Sequence, residues 1–404
     1  MRRKKKIVTT PFDRNKIPPK QNLLAMMLFW PYCWFTTKKA KLKINKVGMK
    51  KLKPPYLVLC NHHSFMDFCI TPLTIFPHRA NYISELEGFE CYGEWKYRQI
   101  GCLGTRKFVN DIALIKNMKK VIDRKGIMVY YPEARYANVG TSSKIPEAVG
   151  KLAKMLKVPV VVLNMKGNYL QSPIWNTTIR KEAKLEATIT QIFTKEELAE
   201  TSIDGVNRKI QEYLTYDEYK WQYETKQKIT YEKRAEGIEC ALYQCPVCSS
   251  KFQMETENAD IFCKRCGSRW HMTQYGEMER RDGHLSKVVD NTIDFSHIPN
   301  WYEWQRKQVI KEIEEGNYFQ HDINGFSLEF KDYGENEINT LKFSPITMYS
   351  VHTEYNYRGK GQCITLSTLD NTYFLYPLEE GFNATRIQFA TEYLYEKAKN
   401  SIYT

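Results

Sequence analysis

Between residues 56 and 163, the chain alternates short apolar runs with segments whose apolar residues recur at helical spacing. We interpret the apolar runs as strands, at residues 56–60, 80–84, 126–131 and 158–163. Helices are predicted between them at residues 110–124 and 146–156, and a last strand is predicted at residues 184–189. Because neighbouring parallel strands need a crossover connection, this alternation predicts an α/β domain with a mainly parallel sheet flanked by helices. Such folds carry their chemistry in the loops that follow the strands.

A histidine and an aspartate follow the first predicted strand, in the sequence Asn-His-His-Ser-Phe-Met-Asp at residues 61–67. Asp67 can bind one ring nitrogen of His62 and leave the other nitrogen to accept a proton. Such a pair is half of the machinery that activates a hydroxyl group. His and Asp at this spacing also occur at ordinary capped helix starts, so the alternative is a structural role. The neighbouring His63 is expected to be structural or solvent-facing.

Several blocks of the sequence, in their order, resemble the 1-acylglycerol-3-phosphate acyltransferase family of glycerolipid acyltransferases. The resemblance covers residues 45–230 approximately. The family's first block, Asn-His-x-Ser-x-x-Asp, is complete at Asn61, His62, Ser64 and Asp67. Its fourth block, a Val-Pro-Val-Val strand, is matched at residues 158–161.

The family's second and third blocks are irregular in this chain. The third block, Pro-Glu-Gly-Thr-Arg, is one residue shorter here and lacks the glycine, which leaves Glu133 and Arg135 as its charged residues. The second block, Gly-x-x-Phe-x-x-Arg, is matched from Gly101. That alignment places Lys107 at the arginine position with Arg106 beside it. Either cation could hold a phosphate group.

The resemblance implies an acyltransferase that moves an acyl chain from a thioester, acyl-CoA or acyl-ACP, to the free hydroxyl of lysophosphatidate, giving phosphatidate. His62 would be the general base, and Asp67 would orient it and stabilise the imidazolium. Ser64 would also cap the following helix. The acceptor would be held by the remaining block residues, namely Asn61, Ser64, Gly101, Arg106, Lys107, Glu133 and Arg135. The alternatives are an acyltransferase for another lysophospholipid and a catalytically silent membrane adaptor.

The positive charge of the chain is concentrated at its N-terminal end. Residues 1–60 carry sixteen Lys and Arg against one acid, Asp13, whereas the whole chain has a net charge of +14. The remaining residues are therefore close to neutral. A nucleic-acid partner is not expected, because its footprint would be a basic surface on a folded domain.

An uncharged run at residues 23–35 lies inside this basic segment. It is shorter than the roughly 20 apolar residues that a spanning helix needs, and no secretory cleavage site follows it. Aromatic residues and flanking lysines favour the interface of an anionic membrane. We therefore predict that residues 1–44 form a basic amphipathic membrane-association segment, and that the protein is peripheral or monotopic at the cytoplasmic face. The alternative is a buried core helix of the next domain.

Four of the eleven cysteines form two Cys-x-x-Cys pairs, Cys245 with Cys248 and Cys263 with Cys266. Two such pairs at this spacing predict a four-thiolate site for one structural zinc ion, with rubredoxin-type iron as the alternative. Phe252, Phe262 and Trp270 are expected to pack this zinc ribbon. The sequence indicates no partner for it. The odd cysteine count and the lack of a secretory signal favour a reducing compartment.

Residues beyond the ribbon predict a helix that ends near Glu315, short strands and a closing helix. The predicted strands are residues 326–330, 338–343, 346–352, 362–367 and 373–376, and the closing helix is residues 383–399. This pattern predicts a small antiparallel β domain that resembles a pleckstrin-homology domain. The expected division is a membrane segment at 1–44, an acyltransferase domain at 45–235, a zinc ribbon at 236–285 and a β domain at 286–404.

Overall fold

The computed structural model describes residues 12–64, 66–180, 182–281, 287–318, 326–330, 339–376 and 383–403. Residues 1–11 of the basic segment, Phe65 of the His62 motif and Ile338 of a predicted strand lie outside the described residues.

A seven-stranded sheet forms the centre of the N-terminal half. Its strands are β1 Lys43–Val47, β2 Tyr56–Cys60, β3 Ala80–Glu85, β4 Cys102–Thr105, β5 Ile127–Tyr130, β6 Val160–Lys166 and β7 Glu186–Phe193. They are ordered β1-β7-β6-β2-β5-β3-β4. Every neighbouring pair is parallel apart from β6 and β7. The predicted α/β domain with a mainly parallel sheet is therefore confirmed.

Helices cover both faces of this sheet. They are α1 Leu23–Lys38, α2 Asp67–Thr74, α3 Leu86–Tyr92, α4 Glu94–Gln99, α5 Ile112–Asp123, α6 Ala148–Leu156, α7 Asn168–Gln171, α8 Lys195–Glu200, α9 Ile203–Leu214 and α10 Glu218–Glu224. All five residues of the central strand β2 are buried. Tyr56 and Val58 join the apolar core on one face, and Leu57 and Leu59 join the core on the other. A strand buried on both faces is a continuous apolar run, which explains its clear sequence signal.

The first helix, α1, is buried on one side only. Met26 and Cys33 are fully buried, and Cys33 packs with Cys69 of α2. Leu24, Leu28 and Phe35 are exposed at 73%, 78% and 66%. Helix α1 is therefore not a fully buried core helix, because only the side that contains Met26 and Cys33 packs against the rest of the chain. Within the described ranges, every helix is too short or too polar to cross a membrane.

The C-terminal half is antiparallel. The cysteine region forms a four-stranded sheet from β8 Met254–Glu257, β9 Asp260–Cys263, β10 Arg269–Met272 and β11 Met278–Arg280. Helix α11 Ile298–Glu314 follows. The last strands form a hairpin, β12 Phe326–Phe330 with β13 Asn339–Phe343, and a three-stranded sheet of β14 His352–Glu354, β15 Cys363–Ser367 and β16 Thr372–Leu375. Helix α12 Ala384–Tyr403 closes the chain.

One predicted strand, at residues 346–352, is wrong. The structure has a 3-10 helix at Pro345–Thr347 and begins the strand only at His352. Pro345 sits at the first turn of this short helix, where its fixed φ is compatible and its missing N–H costs nothing.

A single hydrophobic core joins the ribbon to its neighbours on both sides. Trp301 of α11 is fully buried, and its ring centroid lies 5.0 Å from that of Trp270. Its Nε1 donates a hydrogen bond to the carbonyl of Gln244. The same core includes Tyr169 of α7 and Phe389 of α12. The ribbon thus connects the α/β region with the C-terminal helices and shares their core.

Candidate active site

The carboxyl end of strand β2 carries the His62–Asp67 pair. His62 follows the strand directly, and Asp67 is the first residue of helix α2. The His62 Nδ1 and the Asp67 Oδ2 are 2.9 Å apart. This contact leaves Nε2 of His62 with no hydrogen-bond partner among the described residues. The geometry is that of an imidazole held by a carboxylate, with one nitrogen available to accept a proton.

Asp67 is fully buried, and both of its carboxylate oxygens are occupied. Oδ2 also accepts the backbone N–H groups of His63 at 2.6 Å and Ser64 at 3.2 Å. Oδ1 accepts the side-chain amide of Asn168 at 2.5 Å. These bonds come from the loop after β2 and from α7, so the carboxylate is fixed from two separate segments. Its orientation toward His62 does not depend on one contact.

Two tyrosine rings enclose the imidazole of His62. The ring centroids of Tyr131 and Tyr136 each lie 4.5 Å from that of His62. The Tyr131 hydroxyl is bound to Thr71 of α2 at 2.9 Å, which ties its position to the helix that carries Asp67. The side chain of His62 is 22% exposed and lines a large cavity. It is therefore both held in place and accessible.

The cavity above His62 has a volume of about 860 Å³. One wall comes from the strand ends and helices of the α/β region, including Phe68, Ile83, Tyr131 and Leu114. The opposite wall comes from the described residues between 326 and 403, which we call the C-terminal unit, through Tyr349, Glu354 and residues of α12. The C-terminal half thus completes a cavity that the α/β region leaves open, with apolar and charged side chains mixed on its surface.

Glu133 lies beneath the site and organises two loops. Its Oε1 accepts the backbone N–H of His62 at 3.3 Å, and its Oε2 accepts that of Ser143 at 2.9 Å. Burial raises the pKa of Glu133 to about 7, although these backbone donors and Arg135 act in the opposite direction. Glu133 is buried and does not line the cavity. It therefore positions His62 and has no direct contact with the cavity.

Arg135 does not face the cavity, which differs from its expected role in holding a phosphate. Its guanidinium is buried and bound to Glu392 of α12 at 2.5 Å and to Ser350 at 2.6 Å. Glu392 is shared with Arg306 of α11. Arg135 thus joins the α/β region to the C-terminal helices α11 and α12.

Arg106 is also engaged by the C-terminal unit. It donates from Nη1 to the hydroxyl of Thr372 at 2.8 Å and from Nη2 to the carbonyl of Asp370 at 2.6 Å. Lys107 is ion-paired with Glu85 of β3 at 2.8 Å, and both line the cavity. Of the two cations left open by the sequence, Lys107 is thus the one whose ion pair lies within the α/β region.

The remaining block residues divide between structure and cavity. Asn61 is buried and bridges to β6 by bonding both the N–H and the carbonyl of Met165. Gly101 has φ +87°, and a Cβ there would lie 2.8 Å from the carbonyl of Ala80, so this turn requires glycine. Ser64 lines the cavity, and its hydroxyl accepts the N–H of Met66. Met66 itself is the N-cap residue of α2 and no side chain caps that helix, so the expected cap by Ser64 is wrong. We therefore leave Asn61 and Gly101 out of the acceptor site.

A buried polar cluster lies behind the pair. His63 is fully buried, which lowers its pKa to about 4, and its Nδ1 lies 3.7 Å from Glu218. Burial raises the pKa of Glu218 to about 8, and this carboxyl accepts the N–H of Gly167. Gly167 precedes Asn168, so the cluster supports the segment that holds Asp67. Of the two roles expected for His63, structural or solvent-facing, the structure supports the structural one.

Sequence reasoning missed Asn168, Tyr131 and Tyr136. Asn168 lies in a four-residue helix just after strand β6. The sequence signal that could have identified it is a polar side chain directly after a buried strand. The two tyrosines flank the third block, where their aromatic character was visible but their contact with His62 was not.

The four ribbon cysteines form a group that fits one tetrahedral metal ion. Their sulfur atoms all lie within 4.8 Å of one another. The distances from Cys245 to Cys266 and from Cys248 to Cys263 are 3.7 and 3.8 Å. A tetrahedral zinc site with bonds of about 2.3 Å has sulfur–sulfur edges of about 3.8 Å. The group could therefore hold a zinc ion, and its four thiolates would leave no position for water.

The two cysteine turns have the same local structure. In each, the first cysteine's carbonyl accepts an N–H four residues on, from Ser249 in one turn and Gly267 in the other. Both of these residues have a positive φ, of 58° and 75°. The hydroxyl of Ser250 lies 3.0 Å from the sulfur of Cys248. Such surroundings orient metal ligands before the ion binds.

No protein-family model matches this sequence, and no curated protein matches it. Among solved structures, the chain is similar to the 1-acyl-sn-glycerophosphate (LPA) acyltransferase PlsC from Thermotoga maritima, with a TM-score of 0.38 and 14% sequence identity. The match covers 47% of this chain and 76% of that chain. Function is therefore inferred from the geometry of the site.

Proposed function

We propose that the protein is an interfacial acyltransferase, which transfers an acyl chain from an acyl thioester to a hydroxyl group of a lysophospholipid. The observation that carries the proposal is the His62–Asp67 pair, in which Asp67 is fixed by Asn168 and His62 lines the cavity with no hydrogen-bond partner at Nε2 among the described residues. A free imidazole nitrogen on a buried carboxylate is suited to removing a proton from a hydroxyl.

The reaction needs no covalent acyl-enzyme intermediate. Nε2 of His62 takes the proton of the acceptor hydroxyl while that oxygen attacks the thioester carbonyl. The carbon–sulfur bond then breaks, and the leaving thiolate receives the proton from the imidazolium. Asp67 accepts from Nδ1 throughout and stabilises the positive charge on the ring without itself becoming protonated.

The cavity has the properties that a lipid acceptor and an acyl chain require. Its volume of about 860 Å³ accommodates a headgroup, a glycerol and part of one chain. Phe68, Leu114 and Tyr130 supply apolar contact surface, while Ser64 and Lys107 supply polar groups. Phe68 also contacts Phe29 of α1, with ring centroids 5.4 Å apart. The exposed helix α1 is therefore adjacent to the cavity wall.

We further propose that α1 lies on an anionic membrane surface, at its cytoplasmic face. Its exposed Leu24, Leu28 and Phe35 would enter the interface, and the lysines that follow the helix would meet lipid phosphates. The protein would then be peripheral or monotopic. A lysophospholipid could pass from the bilayer to His62 along the side of α1, while a soluble thioester donor, acyl-CoA or acyl-ACP, would approach from the cytosol.

A catalytically silent membrane adaptor is the second candidate. It is favoured by the engagement of Arg106 and Arg135 by the C-terminal unit, which removes two cations from the expected acceptor site. In that case the ribbon, with its structural zinc, and the C-terminal strands would bind a protein partner.

An acyl-transfer assay separates the two candidates. Purified protein is given a labelled acyl-CoA or acyl-ACP and mixed vesicles that contain one lysophospholipid, with lysophosphatidate as the reference acceptor. Formation of the diacyl product, dependent on the protein and on both substrates, supports the acyltransferase. No product from any lysophospholipid with either donor would contradict it and favour the adaptor.

A further inference from the structure

The lining of the cavity near His62 contains one ammonium group that interacts with two carboxylates. Lys107 pairs with Glu85 at 2.8 Å, from the α/β region. Glu354 of β14 lines the same cavity from the C-terminal unit and interacts electrostatically with Lys107. The negative charges of Glu85 and Glu354 also both raise the pKa of Tyr136, whose ring packs in a tilted orientation against His62. We call Glu85, Lys107 and Glu354 the headgroup triple.

Glu354 is held as a carboxylate. Burial alone would raise its pKa, but His352, whose Nε2 lies 2.7 Å from Glu354 Oε1, and the charge of Lys107 together hold the pKa below the usual value. His352 itself is buried on β14. The negative charge is therefore a fixed feature of the cavity wall, supplied by the C-terminal unit.

The cavity as a whole carries balanced charge. Its lining includes the carboxylates of Glu85, Glu87, Glu147, Glu354 and Glu396, and the cations Arg106, Lys107, Lys144, Lys151 and Lys399. Three of the cations form ion pairs within the lining, Lys107 with Glu85, Lys144 with Glu396 and Lys399 with Glu147. Arg106 is bound to the C-terminal unit. An excess of positive charge, which a phosphomonoester would need, is absent from the described lining.

A phosphomonoester headgroup and a zwitterionic headgroup would interact differently with Lys107 and its neighbouring carboxylates. A phosphomonoester carries a charge of about −1.5 to −2 at neutral pH, and on Lys107 it would face the two neighbouring carboxylates. A zwitterionic headgroup carries one negative phosphodiester and one positive amine. Its phosphodiester can bind Lys107 while its amine binds the flanking carboxylates, so that each charge meets its opposite.

We propose that the acceptor is a zwitterionic lysophospholipid, whose phosphodiester lies on Lys107 and whose ammonium group lies between Glu85 and Glu354. This inference rests on the acyltransferase function proposed above and names its acceptor class. It assigns the C-terminal unit a specific task, since Glu354 is supplied from outside the α/β region.

The test is acceptor competition in neutral detergent micelles, which remove the effect of surface charge. Lysophosphatidylethanolamine, lysophosphatidylglycerol and lysophosphatidate with the same acyl chain compete for one labelled acyl thioester. We expect lysophosphatidylethanolamine to be acylated with the highest kcat/KM. Glu354→Gln should lower that kcat/KM by about 10-fold and raise the relative rate with the two anionic acceptors.

Two further variants keep the result interpretable. Glu85→Gln should shift the preference in the same direction, which covers the case in which loss of the Glu354–His352 contact impairs folding. Asp123→Asn removes a carboxylate from an exposed ion pair with Lys119, outside the cavity lining, and should leave the preference unchanged. A wild-type preference for lysophosphatidate, unaltered by Glu354→Gln and Glu85→Gln, would overturn the headgroup assignment but leave acyl transfer standing. Absence of product with all three acceptors would instead overturn the acyltransferase itself.

Discussion

The side-chain amide of Asn168 donates to Oδ1 of Asp67 over 2.5 Å, although the two residues are 101 positions apart in the chain. Asn168 begins a short helix at the end of β6, and both residues are fully buried. The bond joins the segment after β6 to the first block of the sequence. It makes the orientation of the candidate base depend on the packing of two strands.

Replacement of Asn168 by leucine should reduce kcat by about 10- to 100-fold, because Asp67 would lose one of the donors that fix it. KM should change little, since Asn168 does not line the cavity. Steady-state kinetics with circular dichroism as a check of folding would measure this. Asn164→Ala is the matched control, because its amide binds the carbonyl of Tyr213 and not Asp67. Equal loss in both variants would contradict the positioning role.

The Asn168→Asp variant adds a test by pH. A second carboxyl group against Asp67 raises the pKa of one of the two, because like charges disfavour full ionisation. The protonated form can still donate a hydrogen bond to Asp67. Activity relative to wild type should therefore be highest at low pH and fall as the pH rises. A pH profile parallel to that of wild type would contradict this prediction.

The ion pair between Arg135 and Glu392 should make stability depend on acid pH. Burial alone would raise the pKa of Glu392, but Arg135 and Arg306 overcome it and hold the pKa at about 2. A carboxyl with a lowered pKa stabilises the folded state above its unfolded pKa, near 4.5, and that contribution is lost as the pH falls toward 2. Glu392→Gln should lower the free energy of unfolding at pH 7 by about 3–5 kcal/mol.

Urea unfolding at pH 7 and at pH 3 would measure this effect. The difference in the free energy of unfolding between wild type and Glu392→Gln should be smaller at pH 3 than at pH 7. Glu396→Gln, one helical turn along α12, removes a more exposed pair with Lys144 and should cost at most about 1 kcal/mol at either pH. If Glu392→Gln lowers the free energy of unfolding by the same amount at both pH values, the charge of Glu392 is not the source of the stabilisation.

Metal analysis of the purified protein should find about one zinc ion per chain. Cys263→Ser should lower the metal content and the melting temperature, because the ribbon shares its core with Trp301 and Tyr169. Cys240→Ser is the matched control, since Cys240 lies near the ribbon but outside the four-sulfur group. A Cys263→Ser protein with full zinc content would reject the four-thiolate site, and iron in place of zinc would identify the rubredoxin-type alternative.

The exposed side of α1 should control membrane binding. Leu28 and Phe35 lie two helical turns apart on that side, and burying each in a membrane contributes about 1.5–3 kcal/mol. Leu28→Glu with Phe35→Glu should therefore weaken binding to anionic vesicles by at least about 10-fold. Ile112→Glu is the control, because Ile112 is 69% exposed on α5, away from this helix. Vesicle sedimentation with unchanged binding of the double variant would contradict the surface proposed for α1.

The sequence predicted the central strands and the two cysteine pairs because their signals are local. Strand β2 is apolar throughout, since both of its faces are buried, and the spacing of the cysteines is set by a short turn. Strands β1 and β4 were missed. β1, Lys43–Val47, is a polar strand with no fully buried residue, and β4, Cys102–Thr105, is short and contains a glycine.

The site could be predicted only as far as its residues are close in sequence. His62 and Asp67 lie five positions apart, so their contact is readable from the motif. The partner of Arg135 is 257 positions away, and that of Arg106 is 264 positions away, in a C-terminal unit whose packing the sequence does not specify. Both arginines were expected to bind a phosphate, because the motif shows that they are charged but does not show which residues they contact in the folded chain.

The central claim is that His62 is the general base of acyl transfer, and one comparison tests it directly. Wild type, His62→Ala and His78→Ala would be assayed with a labelled acyl thioester and lysophospholipid vesicles, His78 being an exposed histidine outside the cavity lining. We predict that His62→Ala folds normally and loses about 10²- to 10⁴-fold in turnover, while His78→Ala keeps wild-type activity. Near-normal turnover by a folded His62→Ala protein would contradict the claim.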